Sequence, residues 1–273
     1  MAPARRRLDA ELVRRKMCDS RERARHLIDS GRVVVNGVTA TKSASQVEPT
    51  TSIALTASNE PVWASRGAHK LIGALDHFHE IRVEGARCLD AGASTGGFTD
   101  VLLARGASRV EAVDVGYGQL VWRLRSDARV GVHDKTNVRA LQPQDIGGEV
   151  DLVVGDLSFI SLTLVLPALA RCVRPGGDLL PMVKPQFEVG RERVGHGGVV
   201  RDLALRIEAV TEVARVGADL GLELLGCVAS PLPGPSGNVE YFLHQRRTLS
   251  AGPVVLTEEA ESTIRIAVEE GPR

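Results

Sequence analysis

Residues 87–97 read Arg-Cys-Leu-Asp-Ala-Gly-Ala-Ser-Thr-Gly-Gly, an apolar strand that runs directly into a glycine-rich turn. Helices are predicted over 98–105, 162–171 and 203–220, and strands and helices alternate along the rest of the chain. The later strands are predicted at 110–115, 151–155, 178–183, 224–229 and 239–244. This order predicts a doubly wound, mostly parallel, Rossmann-like α/β sheet with ligands at the carboxyl ends of its strands.

The glycine-rich turn is typical of a site for a nucleotide-like ligand. When Gly92 and Gly97 are aligned with the ends of the dinucleotide fingerprint, Ser94 stands where a middle glycine would approach a pyrophosphate. A pyrophosphate therefore fits poorly. S-adenosylmethionine has none, and methyltransferases commonly carry an Asp-x-Gly-x-x-x-Gly loop here. We expect this cofactor to be bound by the loop residues Asp90, Gly92, Ser94 and Gly97, and by Asp114 at the end of the second strand, where a carboxylate suits ribose hydroxyls.

Charge is unevenly distributed along the chain. The totals are 34 Lys and Arg against 34 Asp and Glu, a formal net charge of zero. Residues 1–55, called the basic head below, nevertheless carry eleven basic and six acidic side chains. A basic head on a mildly acidic body predicts a polyanionic partner for the head.

The basic head is predicted to contain helices over 7–14 and 21–30. A hairpin around Asn36-Gly37 and a short strand at 52–55 should follow. Asn-Gly accepts the positive φ angles of a type I′ turn. The head's arginines at 5, 6, 7, 21, 23, 25 and 32 are expected not to be balanced by acids, which favours an interaction surface over a solvated one.

The run RLDAELVRR…SRERARHLIDSGRVVVNG resembles the αL-type RNA-binding domain. That domain occurs in a small-subunit ribosomal protein, many pseudouridine synthases and a tyrosyl-tRNA synthetase. The resemblance implies docking on structured RNA, mostly through phosphates and shape. The predicted RNA-binding residues are Arg5, Arg7, Arg21, Lys42 and Arg66.

Charged residues also stand at the ends of apolar strands. Asp156 follows the strand at 151–155, and Lys184 follows the one at 178–183. Glu240 lies in the apolar run 239–243. Lysines are usually exposed, so one at the end of a central strand indicates an active site.

Together with Lys70, these residues match the order Lys-Asp-Lys-Glu of RNA ribose 2′-O-methyltransferases of the FtsJ/RrmJ type. The segments SRGAHKL, LDAGASTGGFTDVLL, DVGYGQL, DLSFISL, VKPQFEVG and SPLPGPSGNVEYF resemble the TlyA family over nearly the whole chain. That family consists of bacterial rRNA cytidine 2′-O-methyltransferases. The resemblance implies Lys70, Asp156, Lys184 and Glu240 as the catalytic residues and ribosomal RNA or ribosomal subunits as the partner.

The roles within this tetrad are assigned in part. A ribose 2′-hydroxyl is a poor acid, so Lys184 is expected to accept its proton or to steer it. Asp156 and Glu240 are expected to orient the lysines and the ribose. The Gly- and Arg-rich segment 187–199 follows Lys184, and we expect it to act as a lid over the substrate.

We expect an RNA-binding domain over 1–58, a linker over 59–65 and a methyltransferase domain over 66–273. The family's linker often reads Arg-x-Trp-Val, whereas here it is Pro61-Val-Trp63-Ala64. Trp63 is kept, and we expect it to pack against a neighbouring domain and to couple RNA docking to the larger domain.

Other features exclude further classes of site. The four cysteines form no Cys-x-x-Cys pair, and His77 and His79 have no cysteine beside them, so no metal is expected. The amino terminus lacks an apolar signal core, and the uncharged stretch 157–170 is too short to cross a bilayer. A cytoplasmic location without membrane partners is expected. A cofactor-sensing RNA-binding protein, another RNA-modifying enzyme such as a pseudouridine synthase and a membrane-active haemolysin stay open as alternatives.

Overall fold

The computed structural model describes residues 5–18, 20–29, 31–56, 63–234, 236–250 and 252–272. The chain divides into two compact units, Met1–Val62 and Trp63–Arg273. Residues 59–62 of the predicted linker, and Ser30 at the end of the predicted second helix, lie outside the described residues.

The described residues of the smaller unit form two helices and five short strands. They are β1 (Arg6–Arg7), α1 (Leu8–Arg14), α2 (Arg21–Asp29), β2 (Val33–Val35), β3 (Val38–Thr39), β4 (Gln46–Val47) and β5 (Ile53–Leu55). Strands β3-β2-β5 form one antiparallel sheet, and β1 pairs with β4. The predicted Asn-Gly turn is confirmed, since Asn36 and Gly37 have φ angles of 49° and 82°.

Apolar residues of α1 and α2 form the core of this unit against the strands. The buried members are Leu8, Leu12, Ala24, Leu27, Ile28, Val33 and Val47. The first helix begins one residue later than predicted, because Arg6 and Arg7 pair with Val47 and Gln46.

The larger unit is built on seven strands. They are β6 (Arg87–Ala91), β7 (Arg109–Val113), β8 (Val130–His133), β9 (Val150–Gly155), β10 (Val173–Val183), β11 (Leu222–Ala229) and β12 (Tyr241–Arg247). The sheet order is β11-β12-β10-β9-β6-β7-β8. Strands β8, β7, β6, β9 and β10 are parallel, whereas β12 runs antiparallel to β10 and β11. The predicted mostly parallel sheet is thus confirmed.

Helices of the larger unit cover both faces of the sheet. They are α3 (Gly67–His77), α4 (Gly97–Ala104), α5 (Trp122–Arg125), α6 (Leu166–Cys172), α7 (Pro185–Glu188), α8 (Leu203–Asp219) and α9 (Glu258–Glu269). Short 3₁₀ turns lie at Val138–Ala140, Pro143–Ile146, Leu162–Leu164, Arg191–Arg193 and His196–Gly198. One apolar layer packs α6, α8 and α9 on the sheet, and a second packs α3, α4 and α5 on the opposite face. Trp63 packs against the second layer.

Two predicted elements differ from the structure. The helix expected over 162–171 is a 3₁₀ turn followed by α6, which begins at Leu166 because Pro167 is tolerated only in the first turn of a helix. Glu240, expected inside a strand, lies one residue before β12. No helix of the described residues is long and apolar enough to cross a membrane.

Candidate active site

The glycine-rich turn joins β6 to α4 in a conformation that requires glycine. Gly92 has a φ angle of 85°, and a Cβ atom added there would lie 2.9 Å from the backbone oxygen of Asp156. Gly96 has a φ angle of 100°, and a Cβ there would lie 2.7 Å from the Leu120 side chain. The turn therefore packs directly against the end of β9 and against the Leu120 side chain, and a side chain at either position would clash.

Asp114 follows β7 and faces this turn. Its Oδ2 accepts a hydrogen bond of 2.8 Å from the backbone N–H of Ser94, and its Oδ1 accepts one of 2.7 Å from Gly116. Ser94 itself has a φ angle of 48° and is exposed. The backbone turn and the carboxylate stand side by side, as binding of an adenosine ribose requires, so these residues fit S-adenosylmethionine.

Asp90 links the end of β6 to the first turn of α4. Its side chain is fully buried, and its Oδ2 accepts hydrogen bonds from the backbone N–H and the hydroxyl of Thr99, at 2.8 and 2.7 Å. In the described part of the chain, Asp90 Oδ1 has no hydrogen-bond partner. Burial raises the pKa of Asp90 to about 7. Direct contact between Asp90 and a cofactor stays a prediction.

Gly97 lets α3 approach the start of α4. A Cβ at Gly97 would lie 3.1 Å from the backbone nitrogen of Ala68 and closer still to Ser65 Oγ. The backbone N–H of Ala64 also donates to Asp100 Oδ2 at 2.8 Å. The position of α3, and with it Lys70, is therefore set by the same loop that forms the cofactor turn.

The four tetrad residues form two ion pairs. Lys184 Nζ lies 2.6 Å from Asp156 Oδ1, and it donates to Ser158 Oγ at 2.8 Å. Lys70 Nζ donates to Glu240 Oε2 at 2.5 Å. Lys70, Lys184 and Glu240 are buried, whereas the Asp156 side chain is 26% exposed. Asp156 is thus the member that solvent or a substrate can reach most readily.

Strand register brings these residues to one edge of the sheet. Val183 pairs with Tyr241, so Lys184 and Glu240 each stand one residue beyond that pair. Gly155, which precedes Asp156, pairs with Ala91 at the start of the glycine-rich turn. The predicted catalytic and cofactor residues therefore share the carboxyl edge of the parallel strands.

Two glycines lie next to the tetrad, and the second of them makes room for it. A Cβ at Gly67, the first residue of α3, would lie 3.9 Å from Asp156 Oδ2. A Cβ at Gly234 would lie 2.7 Å from Glu240 Oε1. The side chain of Asn238, buried beside Glu240, donates to the Gly198 carbonyl at 2.8 Å and accepts from the Val200 N–H at 3.0 Å. The end of the Gly- and Arg-rich segment is therefore fixed next to Glu240, and its action as a lid stays a prediction.

Sequence reasoning missed the exposed aromatic residues at this edge. Phe159 is 92% exposed and has a φ angle of 66°, three residues after Asp156. Its ring lies 5.3 Å from that of Phe187. Tyr117, three residues after Asp114, is also exposed, and Lys135 Nζ lies 4.8 Å from its ring centroid. The sequence did contain a signal for both residues: each aromatic residue follows, by three positions, an aspartate at the end of a strand.

Several of the head's arginines, expected to be unbalanced by acids, are partly balanced in the smaller unit. Asp9 is fully buried and lies 3.1 Å from Arg7, 3.0 Å from Arg21 and 3.5 Å from Arg25. Arg5 pairs with Glu48 at 3.1 Å. Hydrogen bonds from Arg7, opposed by burial, hold the pKa of Asp9 well below its usual range. One carboxylate faces three guanidinium groups, so this cluster keeps a net positive charge.

Other predicted RNA-binding residues lie on the surface. Lys42 is exposed after the hairpin, and Arg66 is exposed just before α3. Arg14 and Arg15 bind the buried Glu11, and these bonds lower the pKa of Glu11 to about 2. Within the described ranges, no group of three or more His, Cys, Asp or Glu residues is placed to hold a metal ion.

Known proteins match this chain along most of its length. The FtsJ-like methyltransferase family matches residues 63–247, and the S4 domain matches residues 6–53. A 16S/23S rRNA (cytidine-2′-O)-methyltransferase TlyA of Mycobacterium tuberculosis is 56% identical over 270 residues, 97% of this chain and 98% of the relative. Hemolysin A of Brachyspira hyodysenteriae is 37% identical, covering 87% and 98% of the two chains.

A solved structure described as a hemolysin from Streptococcus thermophilus superposes with a TM-score of 0.74. It is 38% identical and is matched over 98% of both chains. The two domain matches, the extent of these similarities and the methyltransferase sheet agree with one another. The chain belongs to the TlyA family, and it combines an S4 domain with an FtsJ-like methyltransferase domain.

Proposed function

We propose that this protein methylates the ribose 2′-hydroxyl of a cytidine in bacterial ribosomal RNA, with S-adenosylmethionine as the methyl donor. The observation that carries the proposal is the pair of ion pairs, Lys184–Asp156 and Lys70–Glu240, at the sheet edge that also carries the glycine-rich turn. The substrate agrees with the names of the relatives and with the match to an RNA-binding S4 domain.

The chemistry places modest demands on the protein. Bound S-adenosylmethionine would supply a methyl group on a sulfonium, and the positive charge would leave with the hydroxyl proton as the S–CH₃ bond breaks and the O–CH₃ bond forms. Little new charge has to be stabilised, so alignment of the attacking oxygen should supply much of the rate. The residues of the turn and Asp114 serve this by fixing the donor at one side of the site.

Lys184 is the residue that we assign to the hydroxyl proton. Asp156 and Ser158 hold its Nζ at 2.6 and 2.8 Å, so the amine has a defined direction. In its neutral form the amine takes the proton as the O–CH₃ bond forms, and Asp156 then pairs with the ammonium produced. In its charged form Lys184 steers the hydroxyl instead, and Asp156 becomes the proton acceptor.

Lys70 and Glu240 act as a buried support for the ribose in this proposal. Each compensates the charge of the other in a site where an unpaired ion would be strongly unfavourable. Glu240 Oε2 accepts a hydrogen bond of 2.5 Å from Lys70, so the buried carboxylate fixes the direction of the Lys70 amine.

Phe159 extends the site toward the nucleobase. An aromatic ring that is 92% exposed beside the Lys184–Asp156 pair gains little from the protein's own core. RNA-binding proteins stack unpaired bases on such rings. We propose that Phe159 holds the base of the target nucleotide once it has left its own stack.

The remaining assignments follow from this activity. We propose an RNA-binding domain over 1–58, a linker over 59–65 and a catalytic domain over 66–273. An enzyme that modifies ribosomal RNA works where ribosomes are made, so we propose a cytoplasmic location.

Methyl transfer to purified ribosomal subunits tests the proposal. Radiolabelled S-adenosylmethionine, followed by mass mapping of ribose methylation, should give a single class of product, 2′-O-methylcytidine. A cofactor-sensing RNA-binding protein would bind both components without transferring label. A membrane-active protein would release dye from lipid vesicles and leave the RNA unlabelled.

A further inference from the structure

Two motifs lie against each other beside the catalytic lysine. The first is residues 156–162, Asp-Leu-Ser-Phe-Ile-Ser-Leu, called the β9 loop here, and the second is Lys184 with α7. Lys184 binds Asp156 and Ser158, and the Phe187 ring lies 5.3 Å from that of Phe159. The base of the β9 loop is thus held by the lysine already assigned to catalysis.

Glu188 holds the other end of the β9 loop. Its Oε1 accepts a hydrogen bond of 2.9 Å from the backbone N–H of Leu162, and its Oε2 accepts one of 2.5 Å from the Ser161 hydroxyl. The Ser161 hydroxyl also lies 2.6 Å from Thr163 Oγ1. Glu188 is partly buried, and this burial raises the pKa of its carboxyl group. None of the catalytic steps above uses it.

Phe159 stands between these two anchors in an unfavourable backbone conformation. Its φ angle of 66° lies in the left-handed region, which bulky residues avoid. Such a conformation persists only where the surrounding structure holds it in place, and it occurs often at ligand-binding sites. The anchors at Ser158 on one side and at Ser161 and Leu162 on the other are such restraints.

We propose that Glu188 is a positioning residue that holds Phe159 where its ring can stack on the base of the target nucleotide. The role rests on the proposed function, because it needs a nucleotide substrate at this edge. In the absence of Glu188, the β9 loop would keep its attachment to Lys184 at the base. Its far end would be released, and the Phe159 backbone would relax toward ordinary φ angles.

A double-mutant cycle in the full-length protein tests this role. The variants are Glu188→Ala, Phe159→Ala and their combination, assayed for methyl transfer to ribosomal subunits at saturating S-adenosylmethionine. Phe159→Ala should lower kcat by roughly 5- to 150-fold, the range for removal of one aromatic ring from under a base. Glu188→Ala should lower kcat by no more than that, and the combined variant should match Phe159→Ala.

Conservative variants separate positioning from folding. Glu188→Gln can still accept from the Leu162 N–H and can donate to Ser161, so it should stay within about threefold of the wild type. Glu212→Ala, an exposed glutamate on α8 paired with Arg215, is the matched control. Cofactor affinity by calorimetry should be the same in all variants. If Glu188→Ala does not fold, Ser161→Ala is tested instead. It removes one of the two hydrogen bonds to Glu188, together with the contacts of the Ser161 hydroxyl with Thr163.

The outcomes are distinct. Wild-type kcat in a folded Glu188→Ala variant, or in Ser161→Ala where that carries the test, would overturn the proposal. Multiplied losses in the combined variant would overturn it too, because Glu188 would then act independently of Phe159. A wild-type protein that leaves ribosomal RNA unmethylated would overturn the proposed function itself, and the role of Glu188 with it.

Discussion

At the residue scale, substitution of Lys184 distinguishes catalysis from binding of the cofactor. Lys184→Ala should retain the fold, because its partner Asp156 is partly exposed and can be solvated. Methyl transfer should fall by ~10²–10⁴, the usual contribution of a positioned acid–base group. Single-turnover transfer of label to ribosomal subunits would measure the loss, with cofactor affinity as the control.

Lys184→Arg tells the two roles of this lysine apart. Arginine keeps the charge and offers only donors, because it is always protonated. We expect the arginine variant to be as inactive as the alanine variant. Substantial activity in the arginine variant, but not in the alanine variant, would show that Lys184 acts through its charge. Asp156 would then be the proton acceptor.

Asp90 makes the larger unit's stability depend on pH. Its pKa is raised to about 7 by burial, so between pH 5 and 7 the folded protein holds a proton that the unfolded chain releases. Stability should therefore fall as pH rises through this range. In Asp90→Asn, which does not titrate, the free energy of unfolding should lack this fall, a difference of up to ~3 kcal/mol between pH 5 and 8.

Urea unfolding followed by tryptophan fluorescence measures this difference. Both tryptophans, Trp63 and Trp122, belong to the larger unit, so the signal reports that unit alone. A constant difference between wild type and variant across pH 5 to 8 would mean that Asp90 is ionised throughout.

At the scale of elements, the turn from β6 to α4 depends on close packing as well as on backbone conformation. Gly92→Ala should weaken S-adenosylmethionine binding, because its Cβ would push against the Asp156 backbone at the end of β9. Gly92→Arg should abolish binding. Gly85→Ala is the matched control, since its φ angle of 74° is similar but its Cβ would meet open space.

Calorimetric titration with the cofactor separates these two effects. Loss of affinity in Gly92→Ala with normal affinity in Gly85→Ala would identify packing against β9 as the cause. Equal cofactor affinity in both variants would show that the turn is not part of the cofactor site.

At the scale of the whole molecule, the charge of the basic head is expected to govern RNA binding. Reversing Arg7 or Arg21 is a poor test, because it would leave the buried Asp9 short of cations and threaten the unit's fold. Arg6 and Lys42 are exposed and better suited. Arg6→Glu with Lys42→Glu should weaken binding of ribosomal RNA and reduce the slope of its salt dependence by about 0.7–0.9 for each phosphate that is no longer neutralised.

Arg82→Glu provides the control for charge reversal as such. Arg82 is exposed and lies before β6, where that strand begins rather than where it ends. Filter binding across a salt series should show a change for the head variant and none for Arg82→Glu. Unchanged RNA binding in the head variant would show that the basic head is an ordinary solvated surface.

Much of this molecule follows from local sequence. Apolar runs bounded by glycine or charge predicted six strands of the sheet, and the polar residue after a strand is identifiable without knowing the strand's neighbours. That is why Asp114, Asp156 and Lys184 were identified as candidates. The strand β8 and the helix α3 were missed, since Val130–His133 is short and α3 precedes the first strand of the sheet.

Which residues of the tetrad pair with each other was decided by tertiary structure alone. Lys70 and Glu240 are 170 positions apart and meet because Gly97 admits α3 beside α4 while β12 runs antiparallel to β10. Register and packing between distant segments set such contacts, and local sequence patterns do not specify them. For the same reason, the contacts of Asp9 with three arginines appear only in the folded chain. So do the left-handed backbone and the exposed ring of Phe159.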